Sequence, residues 1–242
     1  MPDIVITELE KNYQSSQVLN IPSLIIGKGE IIGLVGNNGA GKTTLFRLIL
    51  DLIPASSGNI TINGTNVKES EHWKNLLSAY LDQSFLLDFL KPEEYFYFIG
   101  ERYQLSKANI NERLHQFEHF FNNEILGQRK KFIRDLSSGN KQKIGIAGVF
   151  LTKPEVIILD EPFNALDPTS QVVLKKLILD YQQTNNCIII ISSHDLNHIT
   201  DICNRILLLE KGHLLKDLTV NHNTLNELQE YFNNNLLENP IK

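Results

Sequence analysis

The stretch Gly36-Asn37-Asn38-Gly39-Ala40-Gly41-Lys42-Thr43 decides the fold of this chain. It fits the phosphate-loop pattern of a glycine, four residues and then Gly-Lys-Thr. The apolar run Ile31–Val35 predicts a strand before it, and the run from Thr44 to Leu50 predicts a helix after it. Glycines let backbone N–H groups turn towards a phosphate, and a helix N-terminus adds partial positive charge. We therefore expect residues 36–44 to bind phosphates, with Lys42 on the β- and γ-phosphates and the Thr43 hydroxyl on Mg²⁺. The plainer alternative is a glycine-rich turn with an exposed lysine.

The composition limits the class of protein. The 242 residues carry a net charge of −5, with acidic and basic residues interspersed. Nucleic-acid-binding faces need clustered Lys and Arg, so no nucleic-acid partner is expected. The only cysteines, Cys187 and Cys203, are expected to be buried free thiols in a reducing compartment. No apolar run approaches the ~18 to 20 residues of a spanning helix. Because a signal-peptide pattern is missing too, we expect a soluble chain without direct membrane insertion.

The residue composition and the spacing of apolar residues divide the chain into a core and a helical lobe. Residues 1–83 alternate short β-branched runs with turns, whereas residues 84–134 hold eight of the twelve Phe and show helical spacing. Pro92, followed by two acidic residues, predicts the start of a helix. Beyond Leu136, apolar runs such as Val156–Leu159 and Ile188–Ile191 predict parallel strands that are covered on both faces. Leu225, Leu228, Tyr231 and Phe232 share one possible helical face in the Asn-rich tail, which we interpret as a docked or frayed terminal helix.

Two carboxylates follow the strand predicted at residues 156–159. Asp160 at the end of this strand, beside the phosphate loop, is expected to hold Mg²⁺ directly or through water. Glu161, one residue further, is placed to polarise the water that attacks the γ-phosphate. An acidic turn that only caps a strand is the alternative, but the phosphate loop favours the functional interpretation.

The order of these motifs resembles the ATP-binding subunit of ATP-binding cassette (ABC) transporters over about residues 3–217. The segment Leu136–Gln142, here called the signature segment, is similar to the family's LSGGQ motif, and a helix is predicted from Lys141 to Leu151. Ser138 replaces a glycine and Asn140 replaces the glutamine. The resemblance implies that Ser137, Ser138 and Gly139 meet the γ-phosphate of ATP held by a second subunit. A simple helix cap at Ser137 is the alternative, and both roles are compatible.

The resemblance extends to four single residues. Gln83 resembles the glutamine that contacts Mg²⁺ or water and links the core to the helical lobe. Asp167, in the sequence Asn164-Ala165-Leu166-Asp167, belongs to a segment that resembles the loop crossing to the partner. His194 resembles the switch histidine on the γ-phosphate, and Tyr13 resembles the aromatic residue that stacks on adenine. Each has a structural alternative: Gln83 as a polar surface residue, Asp167 as part of a helix cap, His194 as a surface or core histidine, and Tyr13 as a strand-edge tyrosine. We expect His198 and His213 to be such ordinary histidines.

The fold that pattern and resemblance imply is α/β: a P-loop NTPase core with a parallel sheet, an N-terminal antiparallel β part and an inserted helical lobe. We expect one ABC ATPase domain over residues 1–242. Its core spans about residues 1–83 and 141–217, its helical lobe with the signature segment about 84–140, and its C-terminal tail about 218–242.

The function implied by the resemblance is ATP hydrolysis that drives transport. The cofactors would be ATP and Mg²⁺, and two subunits, identical or homologous, would dock head to tail. A separate membrane permease would sit on the helical lobe, on the cytoplasmic face of the cell membrane. Six aromatic residues near the lobe entrance could line that seat, although most of them are expected to lie in the core: Phe85, Phe89, Tyr95, Phe96, Tyr97 and Phe98. The segment Phe85–Leu90 is the preferred contact. The short tail favours an exporter.

Two other classes remain as alternatives. A non-transport ABC ATPase, acting as a soluble regulatory or mechanical switch, would usually show a coiled-coil insertion, zinc-site cysteines or a second cassette. A P-loop kinase or GTPase would lack the signature segment. The sequence shows no coiled-coil insertion, no zinc-site cysteines and no second cassette, and it does contain the signature segment.

Overall fold

The computed structural model describes residues 3–14, 16–127 and 131–238, with side chains described as far as Asn234. The chain forms ten strands and eight α-helices within these residues. The strands are β1 (Ile4–Tyr13), β2 (Ser16–Ile26), β3 (Ile31–Val35), β4 (Ser57–Ile62), β5 (Thr65–Asn66), β6 (Leu77–Tyr80), β7 (Val156–Leu159), β8 (Ile188–Ser193), β9 (Arg205–Glu210) and β10 (His213–Thr219). The helices are α1 (Lys42–Ile49), α2 (Pro92–Arg102), α3 (Lys107–His115), α4 (Glu118–Phe121), α5 (Ser138–Leu151), α6 (Pro168–Asn185), α7 (Leu196–Ile202) and α8 (Thr224–Glu238).

The strands make one curled sheet in the order β5-β4-β1-β2-β10-β9-β3-β8-β7-β6. Strands β9, β3, β8, β7 and β6 run parallel to one another. Strand β10 pairs with β9 in antiparallel register. Strands β1, β2, β4 and β5 pair in antiparallel register. The two parts meet where β10 touches β2 at the pair His213 and Asn20. The expected parallel core and antiparallel β part are therefore confirmed.

The parallel strands are buried on both faces, as their continuous apolar runs predicted. Ile31 and Val35 of β3 join a core with the helical lobe and α5 to α8, whereas Ile32 and Leu34 join a second core with α1 and the antiparallel strands. Alternate side chains of a strand point to opposite faces, so each of these strands contributes to both cores. At about 25 cal/mol per Å² of apolar area, such two-sided burial is the main term that stabilises the sheet.

The helical lobe packs through aromatic side chains. Helix α2 begins at Pro92, as predicted, and Glu94 accepts a hydrogen bond from the Lys91 N–H at 2.9 Å. Phe96, Phe117 and Phe121 are at most 1% exposed, and their ring centroids lie 5.8 Å apart for each contacting pair. These rings fix the lobe against α5.

Helix α5 joins the lobe to the core without a break. It begins at Ser138, three residues earlier than predicted, because the Ser137 hydroxyl caps it by accepting a hydrogen bond from Asn140 N. A Cβ atom at Gly145 would lie 2.2 Å from the Tyr80 ring of the core strand β6, and one at Gly148 would lie 3.1 Å from Tyr95 of the lobe. The lobe boundary that the sequence suggested at residues 140/141 thus falls inside one helix, and the division remains a prediction.

The C-terminal tail is a docked helix over the residues that are described. Leu228 of α8 is fully buried, Tyr231 and Phe232 pack on the core, and the Tyr231 hydroxyl donates to Glu210. Residues 239–242 of the predicted tail lie outside the described residues. No helix among the described residues combines the length and the apolar character needed to cross a membrane.

Candidate active site

The phosphate loop curls between β3 and α1, as the sequence predicted. Gly41 has φ +108°, in the left-handed region that favours glycine, and directly precedes the first residue of α1. A Cβ atom at Gly36 would lie 2.2 Å from the Leu209 carbonyl oxygen, so only glycine allows this close approach. Ala40 O accepts a hydrogen bond from Gly212 N at 2.9 Å, which ties the loop to the β9–β10 turn. The backbone is therefore held in its curled form from both sides.

Lys42 bonds through its side chain to the backbone at the start of the phosphate loop. Its side chain donates to Gly36 O at 2.6 Å and to Asn37 O at 3.4 Å, and the residue is 7% exposed. Among the residues that the structure describes, no carboxylate pairs with this buried ammonium group, which is bonded to its own loop instead. Lys42 therefore supplies an unpaired positive charge at the loop, where phosphate oxygens would neutralise it.

Asp160 lies at the same edge of the sheet as the phosphate loop. It follows β7, is 7% exposed, and accepts a hydrogen bond from Thr43 Oγ1 at 2.6 Å. It also accepts a hydrogen bond from the Ser192 hydroxyl at the end of β8. The same Ser192 oxygen accepts the Glu161 N–H at 2.8 Å. Ser192, fully buried, thus fixes both carboxylate residues, and the sequence analysis missed this role.

Glu161 and His194 form a contact pair. His194 Nδ1 lies 2.9 Å from Glu161 Oε2. Glu161 has φ +48°, a left-handed conformation that is uncommon for a residue with a Cβ atom and typical of constrained functional sites. Its carbonyl accepts a hydrogen bond from Gln142 Nε2 at 3.1 Å. This bond anchors the unusual backbone conformation to α5.

Gln142 is itself held by Tyr80, a second contact that the sequence did not reveal. The Tyr80 hydroxyl donates to Gln142 Oε1 at 2.7 Å. Burial raises the pKa of Tyr80, so the hydroxyl stays protonated and remains a donor. Gln142 thereby connects α5 to Glu161, and the buried Tyr80 hydroxyl holds Gln142 in place.

Two adjoining cavities meet at Glu161. The first, here called the phosphate cavity, has a volume of about 340 Å³ and is lined by the loop from Asn37 to Thr44 together with Val18, Leu81, Asp160 and Glu161. The second, here called the histidine cavity, has a volume of about 750 Å³ and includes His194, Asn164 and three residues of α8. Those three are Gln229, Phe232 and Asn233. The apolar face of the tail predicted that α8 docks, but nothing in the sequence indicated that it borders this cavity.

The signature segment lies outside both of these cavities. Ser137 and Ser138 are exposed, and a Cβ atom at Gly139 would lie 2.7 Å from the carbonyl oxygen of Ala165, in the loop before α6. Gln83, which the resemblance places on Mg²⁺, instead donates from Nε2 to Ser138 Oγ at 2.6 Å and to Ser138 O at 3.1 Å. Gln83 is not among the residues that line the phosphate cavity, and its role at the metal stays a prediction.

Asp167 caps α6 in its own chain. Its carboxylate accepts hydrogen bonds from Ser170 N at 3.0 Å and from Ser170 Oγ at 2.5 Å, and these bonds lower its pKa. The buried Lys143 ammonium lies 3.8 Å away. The helix-cap alternative is thus realised, while a contact of Asp167 with nucleotide stays a prediction.

Tyr13 is an exposed ring at the end of β1. It is 49% exposed, and the Lys11 ammonium lies 4.7 Å from the ring centroid. Tyr13 pairs with Ser16, two residues before Val18, which lines the phosphate cavity. The ring therefore lies near this cavity along the sheet without being part of its lining, and stacking on adenine stays a prediction.

The expectation of an ordinary histidine holds for His213 but only in part for His198. His213 is exposed. The His198 ring stacks on Phe163 with centroids 4.4 Å apart, and burial lowers its pKa. Its Nδ1 is buried without a hydrogen-bond partner in the structure, so His198 is a core histidine that is not fully satisfied.

The aromatic residues near the lobe entrance are less buried than expected, because only two of the six lie in the core. Tyr95 and Phe96 are buried, whereas Phe85, Phe89 and Phe98 are each more than half exposed. Phe85 and Leu86 border an apolar groove of about 430 Å³ between core and lobe. Trp73, Leu77, Ile99 and Val149 also line this groove.

Comparison with known proteins agrees with this geometry. The family model described as ABC transporter matches residues 19–164. The chain is 32% identical over 226 residues to the bacitracin transport ATP-binding protein BcrA of Enterococcus faecalis, covering 91% of this chain and 70% of BcrA. It is 33% identical over 238 residues to the ABC transporter ATP-binding protein YtrB of Bacillus subtilis strain 168, covering 95% of this chain and 74% of YtrB.

Solved structures share the fold. A structure of the ATP-binding subunit of an ABC transporter superposes with a TM-score of 0.81 at 27% identity, covering 95% of this chain and 93% of the other. The ATP-binding cassette MJ0796, a dimer bound to ADP and Pi, superposes with a TM-score of 0.79 at 19% identity, covering 90% of this chain and 99% of MJ0796. The chain belongs to the ABC transporter family, as an ATP-binding subunit that binds and hydrolyses ATP.

Proposed function

We propose that this subunit hydrolyses Mg²⁺-ATP in a head-to-tail pair of ATPase subunits and drives a separate membrane permease, in the direction of export. The observation that carries the proposal is the arrangement around Glu161. Its carboxylate contacts His194 at 2.9 Å and borders the phosphate cavity, whereas the signature segment of the same chain stays outside that cavity. One chain therefore offers a phosphate loop and a base, and its signature segment is available to another chain.

The residues around Thr43 fit a magnesium ion. Mg²⁺ is usually held by one or two carboxylates together with hydroxyl, phosphate and water oxygens. Thr43 Oγ1 and Asp160 Oδ2 lie 2.6 Å apart at the edge of the phosphate cavity, so both oxygens would hold the ion, with Gln83 as a further ligand. When bound, the ion would neutralise phosphate charge.

The chain's own residues would act on the phosphates and the attacking water. Lys42 would bind the β- and γ-phosphates, and the amides of residues 36–44 would bind their oxygens. Glu161 would polarise the water and accept a proton as the bond from water oxygen to γ-phosphorus forms. His194, held at Glu161, would orient the γ-phosphate. The bond between the γ-phosphorus and the bridging oxygen breaks, giving ADP and phosphate.

The exposed signature segment supports the head-to-tail arrangement. Ser137, Ser138 and Gly139 lie at the N-terminus of α5, a helix of 14 residues whose terminal N–H groups favour an anion. Because these residues lie outside the phosphate and histidine cavities of their own chain, they would meet the γ-phosphate held by a second copy or a homologous subunit. The dimeric state named for the structural neighbour MJ0796 supports such pairing.

The apolar groove beside Phe85 would seat the permease. The exposed Phe85 ring lines it, and the short turn Gln83–Phe85 connects it to the signature segment. A contact there would place the subunit on the cytoplasmic face of the membrane. Export is supported by the bacitracin transport role named for BcrA.

A Glu161→Gln variant tests the proposal. It keeps the size and the hydrogen bonding of the side chain but cannot accept a proton, so ATP should bind without turnover and the dimer should accumulate. Light scattering with Mg²⁺-ATP should show a doubling of mass. Glu155→Gln, an exposed change just before β7, is the matched control and should turn over normally. Continued turnover by Glu161→Gln, or a monomer at saturating ATP, would contradict the proposal.

A further inference from the structure

The two residues that depart from the family's signature motif each have a partner in their own chain. Ser138, which stands in place of a glycine, receives two hydrogen bonds from Gln83 Nε2, at 2.6 Å on its hydroxyl and 3.1 Å on its carbonyl. Asn140 Nδ2 donates to Glu124 Oε2 of the helical lobe at 3.1 Å. A glycine at position 138 would retain only the carbonyl contact. The departures therefore hold the signature segment within its own chain.

Gln83 also belongs to the turn that borders the apolar groove. Residues Gln83–Phe85 form a single 3-10 turn, whose start is capped by Asp82 through a 2.7 Å hydrogen bond from Ser84 N. Leu86 N donates to Gln83 O at 3.1 Å and completes the turn. Phe85 lines the groove while Gln83 bonds Ser138, so a displacement of Phe85 bears directly on the signature segment.

We propose that Ser138 is a positioning residue for Gln83, and that this pair is a latch that holds the signature segment within its own chain before the dimer closes. The inference rests on the proposed head-to-tail function. Gln83 lies outside the lining of the phosphate cavity, so it must give up its bonds to Ser138 before it reaches the edge where Thr43 and Asp160 lie. The Ser138 hydroxyl must likewise leave Gln83 before it approaches a second subunit. Closure of the dimer therefore opens the latch.

The latch sets how much ATP is needed for closure. A single hydrogen bond between partly exposed groups changes an equilibrium by roughly threefold to tenfold. Ser138→Ala and Ser138→Gly should therefore lower the ATP concentration for half-maximal dimerisation by about that factor. Ser138→Thr retains the hydroxyl, so the hydrogen bond from Gln83 should remain. Ser84→Ala is the matched control, because the Ser84 hydroxyl has no partner in the structure, whereas its neighbour Gln83 bonds Ser138.

A measurement on the nucleotide-free monomer tests the latch separately from dimerisation. Hydrogen exchange of the Leu86 amide reports on the turn that Gln83 begins. Ser138→Ala should raise this exchange rate by roughly threefold to tenfold. Ser138→Thr and Ser84→Ala should leave the exchange rate unchanged. The double variant Gln83→Ala/Ser138→Ala should exchange at the same rate as Gln83→Ala alone. If the wild type fails to dimerise with ATP, the head-to-tail function fails and the exchange data still judge the latch. The latch would be overturned if Ser138→Ala leaves the exchange rate unchanged. It would also be overturned if Ser138→Ala raises the rate as much in the Gln83→Ala background as in the wild type.

Discussion

Thr43 and Asp160 are separated by 117 residues in sequence, and Thr43 Oγ1 donates a 2.6 Å hydrogen bond to Asp160 Oδ2. The strands that precede them, β3 and β7, are not neighbours, because β8 lies between them in the sheet. The contact therefore bridges the end of β8. Ser192, near the end of that middle strand, bonds Asp160 from the same edge. The carboxyl ends of three adjacent parallel strands thus build one site, as is general for ligand sites in open α/β sheets.

Lys42→Ala should impair both nucleotide binding and hydrolysis. It removes the positive charge that the phosphate loop holds in place, and deletion of such a preorganised group costs roughly a hundredfold in rate. ATP affinity should fall as well, since Lys42 would contact the phosphates before and during the reaction. Both are measured on purified protein with Mg²⁺-ATP. Lys176→Ala, an exposed change on α6, controls for the loss of a charge. Hydrolysis near the wild-type rate in Lys42→Ala would refute the phosphate-loop assignment.

Ser192→Ala should lower kcat with little change in KM for ATP. The variant leaves the buried Asp160 carboxylate and the Glu161 N–H without a shared partner. Loss of a hydrogen bond to a charged group costs about 1.5 to 3 kcal/mol, or roughly tenfold to a hundredfold in rate. Lys42 is untouched, so KM should change less than about threefold.

Ser78→Ala is the control for Ser192→Ala, because Ser78 lies in β6 and bonds Thr152 at 2.9 Å rather than the site. Its kcat should match the wild type. A Ser192→Ala protein that is folded and keeps the wild-type kcat would show that Asp160 and Glu161 do not need this bridge.

Tyr13→Ala should weaken binding of ATP but not of inorganic triphosphate. If the ring stacks on adenine, its loss removes roughly 0.5 to 1.5 kcal/mol, a factor of about three to ten in affinity. Tyr13→Phe keeps the ring and should bind ATP like the wild type. Calorimetric titration with both ligands gives the comparison. Equal weakening for triphosphate and ATP would mean that Tyr13 acts on the loop and not on the base.

The strands and the phosphate loop were predictable because their signals are local. The run Ile31–Val35 became β3 with the predicted bounds, since five consecutive apolar residues suit a strand that is buried on both faces. The loop, Asp160 and Glu161 followed from short motifs next to such strands. The start of α5 was predicted three residues late, because Ser138, Gly139 and Asn140 are weak helix formers. They are nevertheless helical, since Ser137 caps the helix directly before them.

Contacts between distant residues that no motif marks could not be predicted. Ser192 is an ordinary serine in sequence, and its bridge to Asp160 spans 32 residues. Tyr80 and Gln142 are 62 residues apart, and only the packing of α5 on β6 joins them. The position of Gln229 beside the histidine cavity depends on how α8 docks. Local pattern carries no information on which distant side chains meet, so these residues emerge only from the folded chain.

Ser138→Arg and Ser138→Asp should block ATP-driven dimerisation while the monomer still binds nucleotide. Arginine adds bulk where the two chains would approach, and aspartate adds a charge that repels the γ-phosphate at close range. Nucleotide binding should persist, because the phosphate cavity is lined by residues 37–44 and by Asp160, and Ser138 is outside it. By contrast, Ser138→Gly should change hydrolysis by less than about tenfold, since it only removes a small hydroxyl and one hydrogen bond. The comparison is nucleotide affinity against mass by light scattering in the same folded variant. Loss of both together would place Ser138 in the nucleotide pocket of its own chain and would contradict the head-to-tail arrangement.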